Sequence, residues 1–506
     1  MTRAADTLVI GGGAAGCALA GLLVERSDEH VLVVEAGPDY GALGAGRWPE
    51  ELLDASQNPP FTHEWGYHSG DQYPGRVLTF DRARVIGGCG SHNGCQAIIG
   101  HRDDYDAWAA AGNSGWRGRD LEPFLASVLR RLRVRLYADG EITPIHALNV
   151  EAFVASGLPR VTDLNDLDQD LGVAPNPVNI VDGIRWNAAF AYLDPVRDRP
   201  SLTVLAGAVC DRLLIEHGRC VGAVVVVDGR REAIRAARVV LSAGVYGSPA
   251  ILLRSGIGPP EELRRVGIEV HHALPGVGRN LHDHPSADLH FSGTDELVAR
   301  SQAFAASCFH PEEQVIGKAR TSGCTSAFDL HFYPVGGARR DAPDRFNWTY
   351  KVSLLRSAAR GALTLRSSDP SAPPILDHAF LRDDDGSDLA RLSEGLELLE
   401  EAVAYPELAR LLGRETFPGP ALRAAHSRAE IVERTVSHAY HPVGTCKMGP
   451  ASDPDAVVDS TGRVHGLEGC YVADAAIMPT VPRANTHLPA VLVGERICSH
   501  LVALDP

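Results

Sequence analysis

A chain of 506 residues has room for roughly two to four domains and an ample core. With 44% hydrophobic and 22% charged residues and a mean hydropathy of -0.08, its composition is that of an ordinary globular protein. Acidic side chains outnumber basic ones 64 to 48, for a net charge of -16, which disfavours nucleic acid and anionic membrane surfaces as partners. The ten cysteines are scattered without a C-x-x-C pair, as expected of free thiols in a reducing compartment. The amino terminus enters an apolar strand at once, with no h-region of a signal peptide, and no apolar run approaches the roughly 20 residues of a membrane helix. A cytoplasmic location is the expectation.

The first element, "TLVIGGGAAGCALAGLLVE", reads as strand, tight turn and alanine-rich helix. Gly11 allows the turn, Gly13 lets the backbone approach a pyrophosphate, and Gly16 lets helix and strand pack closely, while the helix amino terminus offers unpaired N–H groups to phosphate. A second strand, "HVLVVEAG", ends in Glu35 at about the 20-residue spacing from which a carboxylate accepts hydrogen bonds from an adenosine ribose. An adenine dinucleotide site is expected over residues 10–36, and the motif by itself leaves NAD and FAD both open.

Beyond Glu35 the chain lacks the regular strand and helix alternation of an NAD domain. Residues 37–75 are irregular and rich in Gly, Pro and aromatics, as in a long loop that wraps something. Directly after it stands "RVIGGCGSHNGC", with Gly87, Gly88, His92, Asn93 and Gly94. Later, "ARVVLSAGVYGSPAILLRSG" predicts a strand, a turn at Gly244 and Gly247, and a helix opened by Pro249. "AGAVCDRLLIE" reads as a strand with Val209 near its start, and "DSTGRVHGLEGCYVADAAIMP" as a strand ending at Asp474 and Ala475. Strand-like runs "SAFDLHFYPV", "FNWTYKVSLL" and "GALTLRS", then a helix "LARLSEGLELLEEAVAY", predict an antiparallel sheet with flanking helices.

Four of these segments, spread over residues 8–497, resemble the glucose-methanol-choline (GMC) oxidoreductases, FAD enzymes that oxidise alcohols: the glycine turn with Glu35; "RARVIGGCGSHNG"; "GVYGSPAILLRSGIGP", which departs from the family pattern at Val245; and the pair "HPVGTCKMG" and "YVADAAIMPTVPRANTHLPAVLVGERI". The resemblance implies an α/β architecture (α+β overall), with a Rossmann-like FAD-binding domain over residues 1–145, 186–285 and 432–506. An antiparallel-sheet substrate-binding domain would occupy residues 146–185 and 286–431. It implies that Val209 meets the adenine, that Asp474 and Ala475 serve the ribitol and phosphates, and that Asn93 lies against the isoalloxazine. The loop most resembles the choline oxidase branch, whose matching histidine is bonded covalently to the FAD 8α-methyl; for His92 covalent attachment and noncovalent holding both stay open. Gly94 replaces a serine of that branch.

Alcohol oxidation removes a proton from oxygen and a hydride from carbon, so a base must sit beside the hydroxyl. His441 in "SHAYHPVGTCKMG" matches the family's active-site histidine, and counting back from Gly494 the second matching position is His487 rather than Asn485. The expected pair is His441 with His487, one accepting the hydroxyl proton and the other donating to the developing alkoxide. His438 with His441, or His282 with His284 in "RNLHDHPS", could pass for metal ligands; neither pair brings the further ligands of a closed zinc site, and no metal is expected. Tyr440 matches an aromatic cage position of choline oxidases, whereas Phe304 and Ala305 fall where a tryptophan and a glutamate would stand, which points to a neutral primary alcohol, aliphatic or aromatic. Oxygen is the expected acceptor, giving hydrogen peroxide. The alternatives are a dehydrogenase passing electrons to a quinone or other redox partner, choline oxidation, and a light-using or noncatalytic flavoprotein, against which the histidine pair counts. A monomer or homodimer is expected.

Overall fold

The computed structural model describes residues 3–57, 62–73, 75–138, 140–339 and 342–504. Strand Arg3–Ile10 is flanked in parallel by Val31–Val34 on one side and Arg230–Leu241 on the other, and Leu202–Leu205 extends the sheet beyond Val31–Val34. Val31–Val34, residues 7–10 and residues 239–241 are buried on both faces, as parallel strands under crossover helices are. Arg230–Leu241 changes partner along its length. Its first half pairs antiparallel with Arg219–Val227, which pairs in turn with Ala208–Glu216, and its last residues pair in parallel with Cys470–Val472.

The carboxyl ends of Arg3–Ile10, Arg230–Leu241 and Cys470–Val472 therefore lie side by side, where open α/β sheets place their ligands. Main-chain bonds continue past the strand ends, Ser242 N–H donating to Ile10 O (2.7 Å) and Ala473 N–H to Leu241 O (2.8 Å). The expected turn and helix follow the first strand, the helix running Ala14–Arg26. It is apolar all round because it is covered all round, with Ala15 to Val24 buried, in part by the carboxyl-terminal helix His487–Leu504. The two helices approach so closely that a Cβ on Gly494 would stand 2.4 Å from the Ala15 carbonyl oxygen.

The second sheet is antiparallel, in the order Glu415–Phe417, Pro285–Phe291, Ala342–Leu354, Leu330–Arg339, Val315–Ala319, Gly172–Pro175, with Ser437–His438 paired at the start of Pro285–Phe291. Strand alternation separates its faces. Leu330, Phe332, Tyr350 and Val352 are buried on one side, against the helix Ser387–Val403. On the other, His331 stands opposite Ser353 and Tyr333 opposite Lys351, with Ser353 hydrogen-bonded to Ser286 (2.7 Å). That polar face is nearly as buried as the apolar one, with His331, Tyr333 and Ser353 at 0%, 5% and 0% exposure.

One expectation needs correction. Pro249 does not open its helix, which runs Gly244–Arg254 with Pro249 in the interior. The Val245 carbonyl, four residues earlier and unable to accept from a proline nitrogen, accepts from Thr445 Oγ1 instead (2.6 Å). No helix among the described residues is long and apolar enough to cross a membrane.

A helical Gly to Ala change ordinarily stabilises by about 0.5–1 kcal/mol. At Gly494 the overlap with Ala15 should dominate, so Gly494→Ala is expected to lose about 1–3 kcal/mol in urea unfolding. A gain in stability would contradict the close helix contact.

Candidate active site

The glycine turn has the properties its spacing predicts. Gly11 has φ +104°, and a Cβ on Gly16 would collide with the Gly11 carbonyl at 2.0 Å. Around Gly13 the space is open, with nothing nearer to its missing Cβ than the Gly88 Cα at 3.8 Å. The helix amino terminus has no side-chain cap, so its N–H groups are available to a phosphate. Glu35 is buried beneath the turn, accepting from Gly12 N–H (2.8 Å) and Gly37 N–H (2.7 Å), and burial raises its pKa. Val209 lies at the start of Ala208–Glu216, whose first N–H donates to the Glu35 carbonyl. Asp474 accepts from Ala476 N–H, Gly244 N–H and Ser248 Oγ, tying the turn Ala475–Ile477 to the helix Gly244–Arg254; four lone-pair positions leave it capacity for one further donor.

The loop at residues 84–95 crosses directly over this turn. Gly87 and Gly88 have φ +84° and +57°, Gly87 N–H donates to Gly12 O (2.7 Å), and a Cβ on Gly88 would stand 2.7 Å from the Gly13 Cα. Two residues on, Gly90 rests against His487, whose Cε1 would be 2.7 Å from a Cβ there. Asn93 turns its side chain back to accept Cys95 N–H, and its carbonyl accepts from Arg185. Arg185 is fully buried and donates also to the carbonyls of Leu52, Asp54 and Gln57, clamping the loop from below. A Cβ on Gly94 would lie 2.8 Å from Glu313 Oε2. His92 pairs through Nδ1 with Glu64 (2.9 Å).

His441 reaches the same place by a strained turn. Tyr440 has φ +63°, in the left-handed region uncommon for residues other than glycine, which leaves its own ring half exposed and turns His441 inward. The His441 N–H donates to Asp283 Oδ1 (2.9 Å). Its ring lies between His284, with Nδ1 to Nδ1 at 3.1 Å, and Asn485, whose Nδ2 is 3.3 Å from His441 Nε2. Asn485 Nδ2 also donates to Gln96 Oε1 (3.0 Å), which orients the amide with its NH2 toward His441. With the amide in this orientation Nε2 of His441 accepts and its Nδ1–H donates to His284 Nδ1. Burial holds His441 well below the usual imidazole range and His284 at about 3, so both are neutral.

His487 does not hydrogen-bond to His441 among the described contacts. It heads the helix His487–Leu504, neutral, with its pKa lowered to about 4 by burial and its Nε2 buried without a partner. The two pairs that could pass for metal ligands spend their nitrogens elsewhere. His282 uses Nδ1 on Asn280 O and Nε2 on Val481 N–H, and His438 uses Nε2 on Thr79 O and Nδ1 on Tyr440 N–H. Asp283, His284 and His441 converge within 4.8 Å, with the Nδ1 atoms of the two imidazoles 3.1 Å apart.

Phe304 lies near the end of the surface helix Asp295–Ala305 with its ring against His310, and Ala305 is exposed. Neither has a contact with His441 among the described ones, so Ala305 carries no argument about a missing carboxylate; a carboxylate, that of Glu313, does stand beside the loop at Gly94. Sequence reasoning also passed over Arg185, set Asn485 aside, weighed His284 only as a metal ligand and missed Asp283 beside it. The signal for the last two was present in "LHDHPS", a string of side chains too polar to be only a turn.

Residues 5–286 and 357–494 match the GMC oxidoreductase amino- and carboxyl-terminal family models. The chain belongs to the GMC oxidoreductase family. It is 32% identical to mitochondrial choline dehydrogenase of Mus musculus, over 97% of this chain and 88% of that one, and 31% identical to oxygen-dependent choline dehydrogenase of Rhizobium etli, over 99% and 96%. Among solved structures, pyridoxine 4-oxidase from Mesorbium loti superposes with a TM-score of 0.85 at 28% identity, covering 98% of each chain. This GMC oxidoreductase is an FAD-dependent enzyme acting on CH–OH donors. The open cradle at Gly13, the uncapped helix and the orphaned His487 Nε2 fit a bound FAD.

A depressed pKa keeps the His441 imidazole neutral at lower pH, so proton transfer to it would not be titrated away there. Alcohol-driven flavin reduction should stay flat from about pH 7.5 to 5.5, over which an ordinary imidazole would lose about nine tenths of its neutral form. Anaerobic stopped-flow measurements check this; a tenfold fall would mean that His441 titrates normally.

Proposed function

We propose that this GMC oxidoreductase oxidises a primary alcohol to the aldehyde by hydride transfer to flavin N5, with dioxygen as acceptor giving hydrogen peroxide. The observation that carries the reading is the neutral, buried His441, anchored through Nδ1–H on His284 with its Nε2 as acceptor, near the loop that rests on His487. Bound FAD supplies the two-electron acceptor. The turn at Gly11, Gly13 and Gly16 holds its pyrophosphate, Glu35 the ribose and Val209 the adenine. Gly87, Gly88, Asn93 and Gly94 line the isoalloxazine, and Asp474 with Ala475 the ribitol side. In this reading residues 1–145, 186–285 and 432–506 bind FAD, while 146–185 and 286–431 cover the substrate.

The alcohol hydroxyl donates to His441 Nε2 in place of the Asn485 amide and passes its proton there as the hydride leaves carbon. His284 Nδ1 retains the hydrogen bond from His441 Nδ1–H, so the imidazolium that forms has an acceptor already in place. Asn485 Nδ2 and His487 Nε2–H are the donors for the oxygen as charge develops on it. The polar face of the second sheet closes over them and limits water.

A second reading of the substrate rests on Glu313. A carboxylate beside Gly94 suits an alcohol carrying a cation, choline included, and the choline dehydrogenase relatives agree with it. Neutral alcohols and choline are separated by a panel of benzyl alcohol, short aliphatic alcohols and choline. If the substrate is cationic, Glu313→Gln should raise its KM at least about tenfold and leave neutral alcohols unaffected. Peroxide release in air distinguishes dioxygen from a quinone or other redox partner.

His441→Ala is expected to retain FAD and lose about 10²–10⁴ in the rate of alcohol-driven flavin reduction. Bleaching at a near wild-type rate would remove His441 from the proton-transfer role.

A further inference from the structure

Glu64 lies about 30 residues upstream of the histidine it contacts, at the end of the irregular segment that precedes the loop. Its Oε1 is 2.9 Å from His92 Nδ1, and both side chains are largely buried, at 14% exposure for His92 and 13% for Glu64. Its Oε2 is buried with no hydrogen-bond partner. The same imidazole is hydrogen-bonded to the Cys89 thiol, and the Cys89, Arg82 and Asp81 side chains stand around it. Segment 62–65 is itself held to the strand leading into the loop, Trp65 N–H donating to Arg82 O (3.1 Å) and Arg84 N–H to His63 O (2.5 Å). The carboxylate is therefore carried on backbone tied to the loop that presents His92.

A carboxylate on Nδ1 does two things to an imidazole. It selects the tautomer with the proton on Nδ1, which puts the lone pair on Nε2, and it stabilises the cation that forms when Nε2 makes a bond. The geometry points to Glu64 as the positioning residue that makes His92 Nε2 the nucleophile for covalent attachment of FAD. This rests on the reading above that the loop of Gly87, Gly88, Asn93 and Gly94 lines the isoalloxazine, and adds to it that the dimethylbenzene edge lies at His92. In the step, the Nε2 lone pair forms a bond to the 8α-methyl carbon while that carbon loses one hydrogen as a proton. The two electrons of the broken C–H bond go to the isoalloxazine, which is left reduced by two electrons, and dioxygen reoxidises it with release of hydrogen peroxide. His92 becomes an imidazolium alkylated on Nε2 with its Nδ1–H on Glu64, and the Glu64 charge compensates it. Hydrogen bonds to Cys89 and Glu64 raise the His92 pKa to about 9 in spite of burial, so near neutral pH the ring first gives up its Nε2 proton, with Cys89, whose own pKa is lowered to about 6, as the neighbouring acceptor; the lone pair then forms the bond to carbon.

The test uses full-length holoenzyme, with wild type, Glu64→Gln, Glu64→Asp and His92→Ala prepared in parallel. Each is measured for FAD content by visible absorbance before and after acid precipitation, and the peptide spanning residues 85–102 is sequenced by mass spectrometry. The expected result is flavin retained in the wild-type pellet and fixed on His92, and none in the His92→Ala pellet. Glu64→Gln should bind FAD stoichiometrically yet attach it at least about tenfold more slowly when apoprotein is incubated with FAD, and Glu64→Asp should recover most of the rate. A merely structural role would lower FAD content together with attachment and would not be rescued selectively by the shorter carboxylate. Attachment at the wild-type rate in Glu64→Gln, or flavin found on Cys89, would overturn the role of Glu64. Complete release of flavin from wild type would overturn the covalent reading itself. Should Glu64→Gln fail to bind FAD, attachment by Glu64→Asp decides: a wild-type rate supports the carboxylate, and no attachment with full FAD binding overturns it.

Discussion

The loop of residues 84–95 can reach the dinucleotide turn only because two backbones touch without side chains between them. Gly88 lies against Gly13 at a distance no Cβ would permit, and the hydrogen bond from Gly87 to Gly12 locks that contact. The geometry of the site depends on this crossing. The loop leaves it pointed at the amino end of the last helix, so Gly90 meets His487; a few residues later it presents His92 and Asn93, and it then runs into Gln96, which orients Asn485. The carboxyl-terminal helix is in turn held by its own close approach to the first helix, Gly494 on Ala15. Residues from the beginning, the first hundred and the end of the chain thus share one wall.

Burial then sets the electrostatics. Four of the histidines around the site, His282, His284, His438 and His441, are neutral because desolvation outweighs every charge near them, and each has its tautomer dictated by a main-chain or neighbouring partner. His92 is the exception, because it hydrogen-bonds to Cys89 and to the Glu64 carboxylate. One loop and one strand end therefore present two kinds of imidazole: buried neutral rings, and a ring held between a thiol group and a carboxylate.

Much of this was legible in the sequence because it depended on backbone. The turn at Gly11 to Gly16, Glu35 and the strand and helix alternation reflect constraints on φ, on close approach and on periodicity, which residue type reports directly. The antiparallel sheet was legible for the same reason, and its strands at residues 330–339 and 342–354 fall where alternation puts them. What was hidden depended on three-dimensional partners. Pro249 looked like a helix start because nothing local announces that Thr445, almost two hundred residues away, takes the role of the missing N–H. Asn485 was set aside for His487 by counting positions, yet it is the Asn485 amide that reaches His441. Glu313 stands far in sequence from Gly94, and no spacing rule joins them.

Arg185 bears a last consequence. Its guanidinium is fully buried, and the hydrogen bonds that hold it end on four main-chain carbonyls, one of them Asn93, and on Cys95 Sγ (3.4 Å). A guanidinium offers donors only, so each of its polar contacts must end on an acceptor. The carbonyl dipoles solvate it but do not cancel it, and its field extends through the thin glycine loop above. The loop thus has a buried guanidinium at Asn93 and carboxylates at Gly94 and His92, so a group resting on it meets the difference between opposed fields, positive near one residue and negative near its neighbours.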